Sequence, residues 1–169
     1  MLEIFEEHEE CTFYTVRKIE DGEEINQSET QLFFEKFYNN EGYRECIKEI
    51  ISLLDYIGEK RGAHPYLFRH EGKAVGLPKN EHRACKDLCL DFANFPLRLF
   101  CLRITDQILV LFNGGIKDAD KAQDTKASMS FQEAQQFCIR IDRAISEQEI
   151  KIDGMFIVGQ SVELEEIEL

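Results

Sequence analysis

The 169-residue chain has no tryptophan and only three prolines, so its aromatic packing depends on 13 phenylalanines and five tyrosines. No apolar run approaches the roughly 20 residues that cross a bilayer, which argues against a helical membrane protein. Residues 1–7 are acidic, whereas a signal peptide begins with basic residues followed by an apolar stretch. We therefore expect a cytoplasmic protein that does not contact the membrane.

The sequence also lacks the short motifs of several large enzyme classes. It contains no G-x-x-x-x-G-K-[ST] phosphate loop, no G-x-G-x-x-G fingerprint, no H-E-x-x-H zinc motif and no G-x-S-x-G nucleophile motif. Gly114 and Gly115 form an isolated pair after an apolar run, which favours a turn over a phosphate cradle. We therefore predict no cofactor and no resident metal.

Six cysteines are present, and most of them lie in apolar runs that indicate buried, reduced thiols rather than disulfides. Cys85 and Cys89 form a C-x3-C pair, and His82 lies three residues before it. The pair lacks a second pair at zinc-finger spacing, so core packing is the favoured interpretation. A small metal-binding regulator stays open as an alternative.

The net charge of −13 is unevenly distributed along the chain. Residues 1–60 carry −10 and residues 129–169 carry −6, but residues 61–128 contain 11 bases and 8 acids, a net charge of +3. General binding of nucleic acid usually requires a basic protein, so a polyanion could bind only at this middle segment. The alternative is that these bases only form solvated surface and ion pairs.

Two capping boxes indicate where the first and third helices begin. Ser28 with Gln31 precedes an apolar-rich helix, and Ser130 with Glu133 precedes a helix over residues 131–146. Each pairs a serine that caps the first turn with a Gln or Glu three residues later.

The clearest helix covers residues 43–60, where apolar residues recur at spacings of three and four. Strands are predicted at residues 11–19 and in three hairpins, over 65–78, 97–112 and 150–158. The first hairpin would turn at Glu71-Gly72. Regular βαβ alternation is missing, so we predict one α+β domain over residues 1–169, an antiparallel sheet packed by N-terminal helices and a C-terminal helix.

The basic residues of the middle segment lie on predicted hairpins and loops, where binding residues often collect. Arg98 and Arg103 differ in parity, so a regular strand places them on opposite faces. Tyr66 and Phe68 offer rings on which a base could stack. The candidate set comprises Arg69, His70, Lys73, Lys79, His82, Arg83, Lys86, Arg98, Arg103, Lys117, Lys121 and Lys126.

The segment LRLFCLRITDQILVLFNGGIK, residues 97–117, resembles the central hairpin of the RelE/HigB superfamily of bacterial toxins. Members have two N-terminal helices and a small antiparallel sheet. The resemblance covers about residues 42–146. It implies a RelE-like core that carries an N-terminal strand and helix extension and an acidic C-terminal hairpin and tail.

The resemblance implies a ribosome-dependent endoribonuclease that cuts mRNA and is neutralised by an antitoxin protein. In that chemistry, basic side chains stabilise a phosphate attacked by its own 2′-hydroxyl. Arg98 and Lys117 would be the catalytic pair. The RNA contacts would come from Arg69, Lys73, Arg103, Lys121 and Tyr66.

This chain departs from the family because it is acidic, whereas the toxins are usually basic and shorter. Its additional terminal segments could mask the basic face like a built-in antitoxin, or they could accompany a loss of activity. A catalytically inactive protein-interaction module of the same fold is therefore the alternative hypothesis, since one fold hosts many functions.

Overall fold

The computed structural model describes residues 1–20, 23–24, 26–79, 88, 90, 92–117, 125–159 and 166–167. This part of the chain has an α+β fold with three α-helices, as predicted. The helices are α1 (Glu29–Tyr38), α2 (Arg44–Tyr56) and α3 (Thr125–Ser146). The strands are β1 (Leu2–Glu7), β2 (Thr12–Val16), β3 (Ile19–Glu20), β4 (Glu23–Glu24), β5 (Arg69–Glu71), β6 (Ala74–Leu77), β7 (Leu97–Thr105), β8 (Ile108–Ile116), β9 (Ile150–Asp153), β10 (Phe156–Gly159) and β11 (Glu166–Ile167).

Seven strands form one mixed sheet in the order β11-β1-β2-β8-β7-β6-β5. The predicted antiparallel arrangement holds for every neighbouring pair except β2 and β8, which are parallel. The chain between these two strands contains α1 and α2 as well as β3 to β7, so it is more than long enough for the crossover that a parallel pair needs. The strands β9 and β10 form a separate hairpin, as predicted. The strands β3 and β4 form another small hairpin, which was not predicted.

The sheet has a hydrophobic core on each face. On one face, Phe33 of α1 and Ile50 of α2 pack in the same cluster as Phe13 and Leu111. On the other face, the apolar side of α3 packs with β8 and with the β9–β10 hairpin. Residues 108–112 of β8 are fully buried, which confirms the prediction of a central strand covered on both sides.

The two predicted capping boxes had different outcomes. The Ser28 hydroxyl accepts from the Gln31 amide at 3.3 Å, and the Gln31 side chain accepts from the Ser28 amide at 2.9 Å. The Ser130 prediction was wrong, because α3 already begins at Thr125 and Ser130 lies inside it. Glu133 binds Lys18 instead, at 2.7 Å.

Several smaller features complete the fold. The β5–β6 turn lies at Gly72 and Lys73, one residue later than predicted, and Gly72 has a φ of +71° that favours glycine. Cys11, Cys101 and Cys138 are free and buried, as predicted, whereas Cys46 is partly exposed. In the described ranges, no helix combines the length and the apolar character that a bilayer crossing requires.

Candidate functional site

The predicted site residues of β7 lie at its two ends and on its two faces. Arg98 is opposite Gly115 of β8 and faces the α3 side, as does Phe100. Arg103 faces the side of α1 and α2, where its Nε donates to the Ala63 carbonyl at 2.6 Å. The prediction that the two arginines occupy opposite faces is confirmed.

Arg98 is the one strongly buried arginine in the described part of the chain, with 5% of its surface exposed. Its Nη1 donates to Oε1 of Glu71 in a short ion pair. The Nε of Arg69 lies 3.4 Å from the same oxygen. One carboxylate oxygen therefore contacts two guanidinium groups.

The pairing of β5, β6 and β7 brings these three charged side chains together. Arg69 and Glu71 are two residues apart on β5 and so share a face, and Arg69 lies opposite Gly76 of β6. Gly76 leaves the space that the Arg98 side chain occupies. A Cβ at this position would stand 2.5 Å from Arg98 Cδ and 3.1 Å from Glu71 Cγ.

The helix α3 holds the β5–β6 turn through Gln135. The Gln135 Oε1 accepts from the Lys73 amide at 2.6 Å, and its Nε2 donates to the Glu71 carbonyl at 2.7 Å. Both bonds are to main-chain atoms, so α3 fixes the backbone on either side of Gly72. The Glu71 carboxylate itself is not bound by Gln135.

The electrostatics of this group leave positive charge uncompensated. Burial lowers the pKa of Arg98, Glu71 partly offsets this, and Arg69 lowers the pKa further because it carries the same charge. The buried Nε of Arg98 has no hydrogen-bond partner among the residues the structure describes. Such an unpaired buried donor costs on the order of 1–3 kcal/mol.

Lys117 lies at the same end of the β7–β8 hairpin as Arg98. Its amide donates to the Pro96 carbonyl at 2.6 Å, so antiparallel pairing extends one residue beyond β8. Because Lys117 is two residues from Gly115, strand alternation places it on the Arg98 face. Lys73 is exposed in the β5–β6 turn, and Lys121 lies outside the described residues.

Arg103 and Tyr66 belong to a different group, at the far end of β7. Arg103 binds Asp106, and His64 Nδ1 lies 3.2 Å from the other carboxylate oxygen of Asp106. The exposed Tyr66 ring stacks on His64 with 5.8 Å between centroids. The hydrogen bond from Arg103 lowers the pKa of Asp106, and His64 contributes to the same direction. The residues predicted to contact RNA are thus divided between two groups, one near each end of β7.

A third polar group was not anticipated from the sequence. Lys18 Nζ lies 3.0 Å from Glu29, which is 2% exposed, and 2.7 Å from Glu133 on α3. Asn113 of β8 also donates to Glu29, at 3.0 Å. The only sequence signal was an acidic residue directly after a helix cap. A groove of about 520 Å³ begins beside Lys18 and follows α3 as far as Arg140.

Metal ligands do not converge in the part of the chain that is described. No group of three or more His, Cys, Asp or Glu side chains there has a metal-binding arrangement. The pair Cys85 and Cys89, with His82, lies outside the described residues, so the metal-binding alternative stays a hypothesis.

The chain matches no protein-family model, no curated protein and no solved structure. The RelE/HigB resemblance therefore depends on residues 97–117 and on the hairpin they form. Nuclease activity and an antitoxin partner stay predictions.

Proposed function

We propose that this chain acts by binding another protein, one with a basic surface, rather than by catalysis. The observation that carries this proposal is the state of Arg98. The side chain expected to stabilise a scissile phosphate is 5% exposed and already paired with Glu71. A buried ion pair is costly to break, and a phosphodiester carries only the single charge that Glu71 already supplies, so RNA would gain little by displacing the carboxylate.

The charge distribution supports a basic partner. The outward side of α2 carries Glu45, whose side chain is 77% exposed, and Lys48 is its ion-pair partner. The helix carries Glu45, Glu49 and Asp55 against Arg44 and Lys48, so acids outnumber bases here. Burial raises the pKa of Glu49, and repulsion from Glu45 raises it further. A basic surface would relieve this repulsion and would also be attracted over a distance of about 10 Å at moderate salt.

The acidic surface continues from α2 to the turn between β1 and β2. The Glu10 amide donates to the Gly58 carbonyl at 2.7 Å, which joins the turn to the residues just after α2. Glu6 and Glu59 flank this contact with side chains 57% and 51% exposed, and one oxygen of each carboxylate lies near a ring nitrogen of His8. Both elements belong to residues 1–60, the segment with a net charge of −10.

The second candidate is the RNA cleavage implied by the RelE/HigB resemblance. It is favoured by the register of β7 and β8, since Arg98 and Lys117 lie at one end of the hairpin and on one face. Cleavage would require Glu71 to release Arg98. If the chain does cleave RNA, its protein partner would be the antitoxin that neutralises it.

Induced expression in a bacterial host separates the two candidates. The binding function predicts unchanged growth and intact mRNA, with no difference between the native chain and the Arg98→Ala variant. Cleavage predicts growth arrest and mRNA fragments that disappear in Arg98→Ala and Lys117→Ala. Arrest that those variants relieve, at equal protein levels, would overturn the binding proposal.

The partner itself is tested by a charge-reversal pair. Once a binding protein is identified and purified, we expect Glu45→Lys with Glu49→Lys to slow association about tenfold at low salt. The control, Glu147→Lys with Glu149→Lys, changes the net charge equally at the end of α3 and should have little effect. Equal slowing by both pairs would mean that α2 does not form the interface.

A further inference from the structure

Two arginines and one carboxylate meet at the edge of the sheet, where Arg98 is buried and the side chains of Glu71 and Arg69 are 21% and 50% exposed, so one positive charge is left over. Arg98 Nη1 and Arg69 Nε both approach Oε1 of Glu71, and the buried Nε of Arg98 is unpaired among the described residues. A guanidinium group offers a planar set of donors that suits an oxyanion. The pair therefore has donors and charge that Glu71 does not fully satisfy.

We propose that Arg69 and Arg98 form a binding site for a small phosphate monoester, and that the Glu71 carboxylate occupies it in the free protein. The charge decides between classes of phosphate. A monoester carries about −1.5 to −2 at neutral pH, which matches the two arginines. A diester, as in an RNA backbone, carries a single charge and would only replace the carboxylate.

The surrounding structure allows Glu71 to leave without unfolding the hairpin. β5 is an edge strand, and the Glu71 side chain is 21% exposed, so solvent reaches the carboxylate. Gln135 holds the main chain on both sides of the turn and would keep it in place. Gly76 has no side chain, and the Arg98 side chain occupies the space that a Cβ would fill.

This site involves the same Arg98–Glu71 pair as the argument against catalysis, but its test is separate from that of the protein partner. Phosphate binding can be measured on the purified chain alone, so its failure would leave the binding function untouched. It also differs from RNA cleavage, because the charge argument selects a monoester and leaves Lys117 unused.

The test compares inorganic phosphate with dimethyl phosphate by isothermal titration and by thermal unfolding at matched ionic strength. In Glu71→Gln the neutral amide leaves the arginines uncompensated, so phosphate should bind about tenfold more tightly than to the native chain. Phosphate should also restore the melting temperature that this substitution lowers. Dimethyl phosphate should bind weakly to both proteins.

Two further substitutions in the Glu71→Gln background locate the site. Arg98→Met should abolish phosphate binding, whereas Arg103→Met, on the same strand but the opposite face, should not change it. If Glu71→Gln does not fold, Glu71→Asp retains the charge with a shorter reach and should show an intermediate gain. The proposal is overturned if neither Glu71 variant gains phosphate affinity, if binding survives Arg98→Met, or if the diester binds equally well.

Discussion

At the scale of single residues, Lys18 allows a matched comparison of a buried and an exposed partner. It contacts Glu29, which is 2% exposed, and Glu133, which is 37% exposed. We expect Glu29→Gln to lower the free energy of unfolding by about 2 kcal/mol, because a buried charge-assisted bond is lost. Glu133→Gln should cost less than about 1 kcal/mol, as exposed pairs usually do. Urea denaturation of both variants at pH 7 measures this difference.

The pH dependence of that difference follows from the pKa of Lys18. Burial lowers the pKa, but hydrogen bonds to Glu133 and Glu29 outweigh burial, so the folded pKa lies above its ordinary 10.5. A raised lysine pKa contributes stability below 10.5 that disappears as pH rises through the folded value. The difference in free energy of unfolding between the native chain and Glu29→Gln should therefore become smaller above pH 10.5. A constant gap would contradict the role of Lys18.

Side-chain contacts could be predicted from the sequence where both partners lie within one helical turn. The Ser28–Gln31 capping box needs only a spacing of three, and it was predicted correctly. Arg98 depends on Glu71, which is 27 residues away and reaches it across β6. Counting charged residues showed that the basic segment has a net charge of +3, but the count could not show which bases form ion pairs with carboxylates.

At the scale of elements, the contact between the β7–β8 hairpin and α1 depends on Gly114. A Cβ there would overlap the Arg98 carbonyl oxygen and stand 2.7 Å from the Phe33 ring. Because the first obstacle is backbone, no rotamer change relieves it, and we expect Gly114→Ala to cost about 3 kcal/mol. Gly42→Ala, whose Cβ would meet its nearest neighbour at 3.4 Å, should stay within about 0.5 kcal/mol. Guanidinium denaturation provides the measurement, and similar losses would refute the packing argument.

The strand pattern identified β7 and β8 but not β1. The apolar runs of β7 and β8 are long, whereas residues 2–7 read LEIFEE, whose alternation is interrupted where β1 has an irregular register between Ile4 and Glu6, and they were interpreted only as an acidic terminus. The parallel pairing of β2 and β8 was also missed. Sequence periodicity reports which residues face the core, but it does not report which strand lies beside which.

At the scale of the whole molecule, acidic and basic segments occupy different parts of the sheet. The acidic residues 1–60 form β1 to β4, α1 and α2, and the basic segment contributes β5 to β8. Counting charges along the chain anticipated this division. The fold adds that Arg98 and Arg103, the bases of β7, each contact a carboxylate, and because acids outnumber bases in the chain, its unbalanced charge is mainly negative.

The excess of negative charge predicts how salt affects the stability of the fold. With a net charge of −13, we expect the melting temperature to rise by several degrees between about 10 and 200 mM NaCl, because the Debye length falls from about 30 Å to under 10 Å. Thermal unfolding followed by circular dichroism measures the rise. A melting temperature that falls with salt would show that attractive ion pairs dominate.

Part of the repulsion between negative charges acts on Glu49. Its pKa is raised from 4.5 by burial and by Glu45, so the charged form is disfavoured in the folded state, and stability is lost as pH rises through 4.5 toward the folded value. Glu49→Gln should therefore raise the melting temperature at pH 7 and low salt, with no gain below pH 4, where the carboxyl is protonated in both states. Glu41→Gln removes one exposed charge at the start of the same helical region and should give a smaller gain. Equal gains from the two variants would assign the repulsion to net charge alone, and a larger gain from Glu49→Gln would assign it to this side of α2, where the basic partner is proposed to bind.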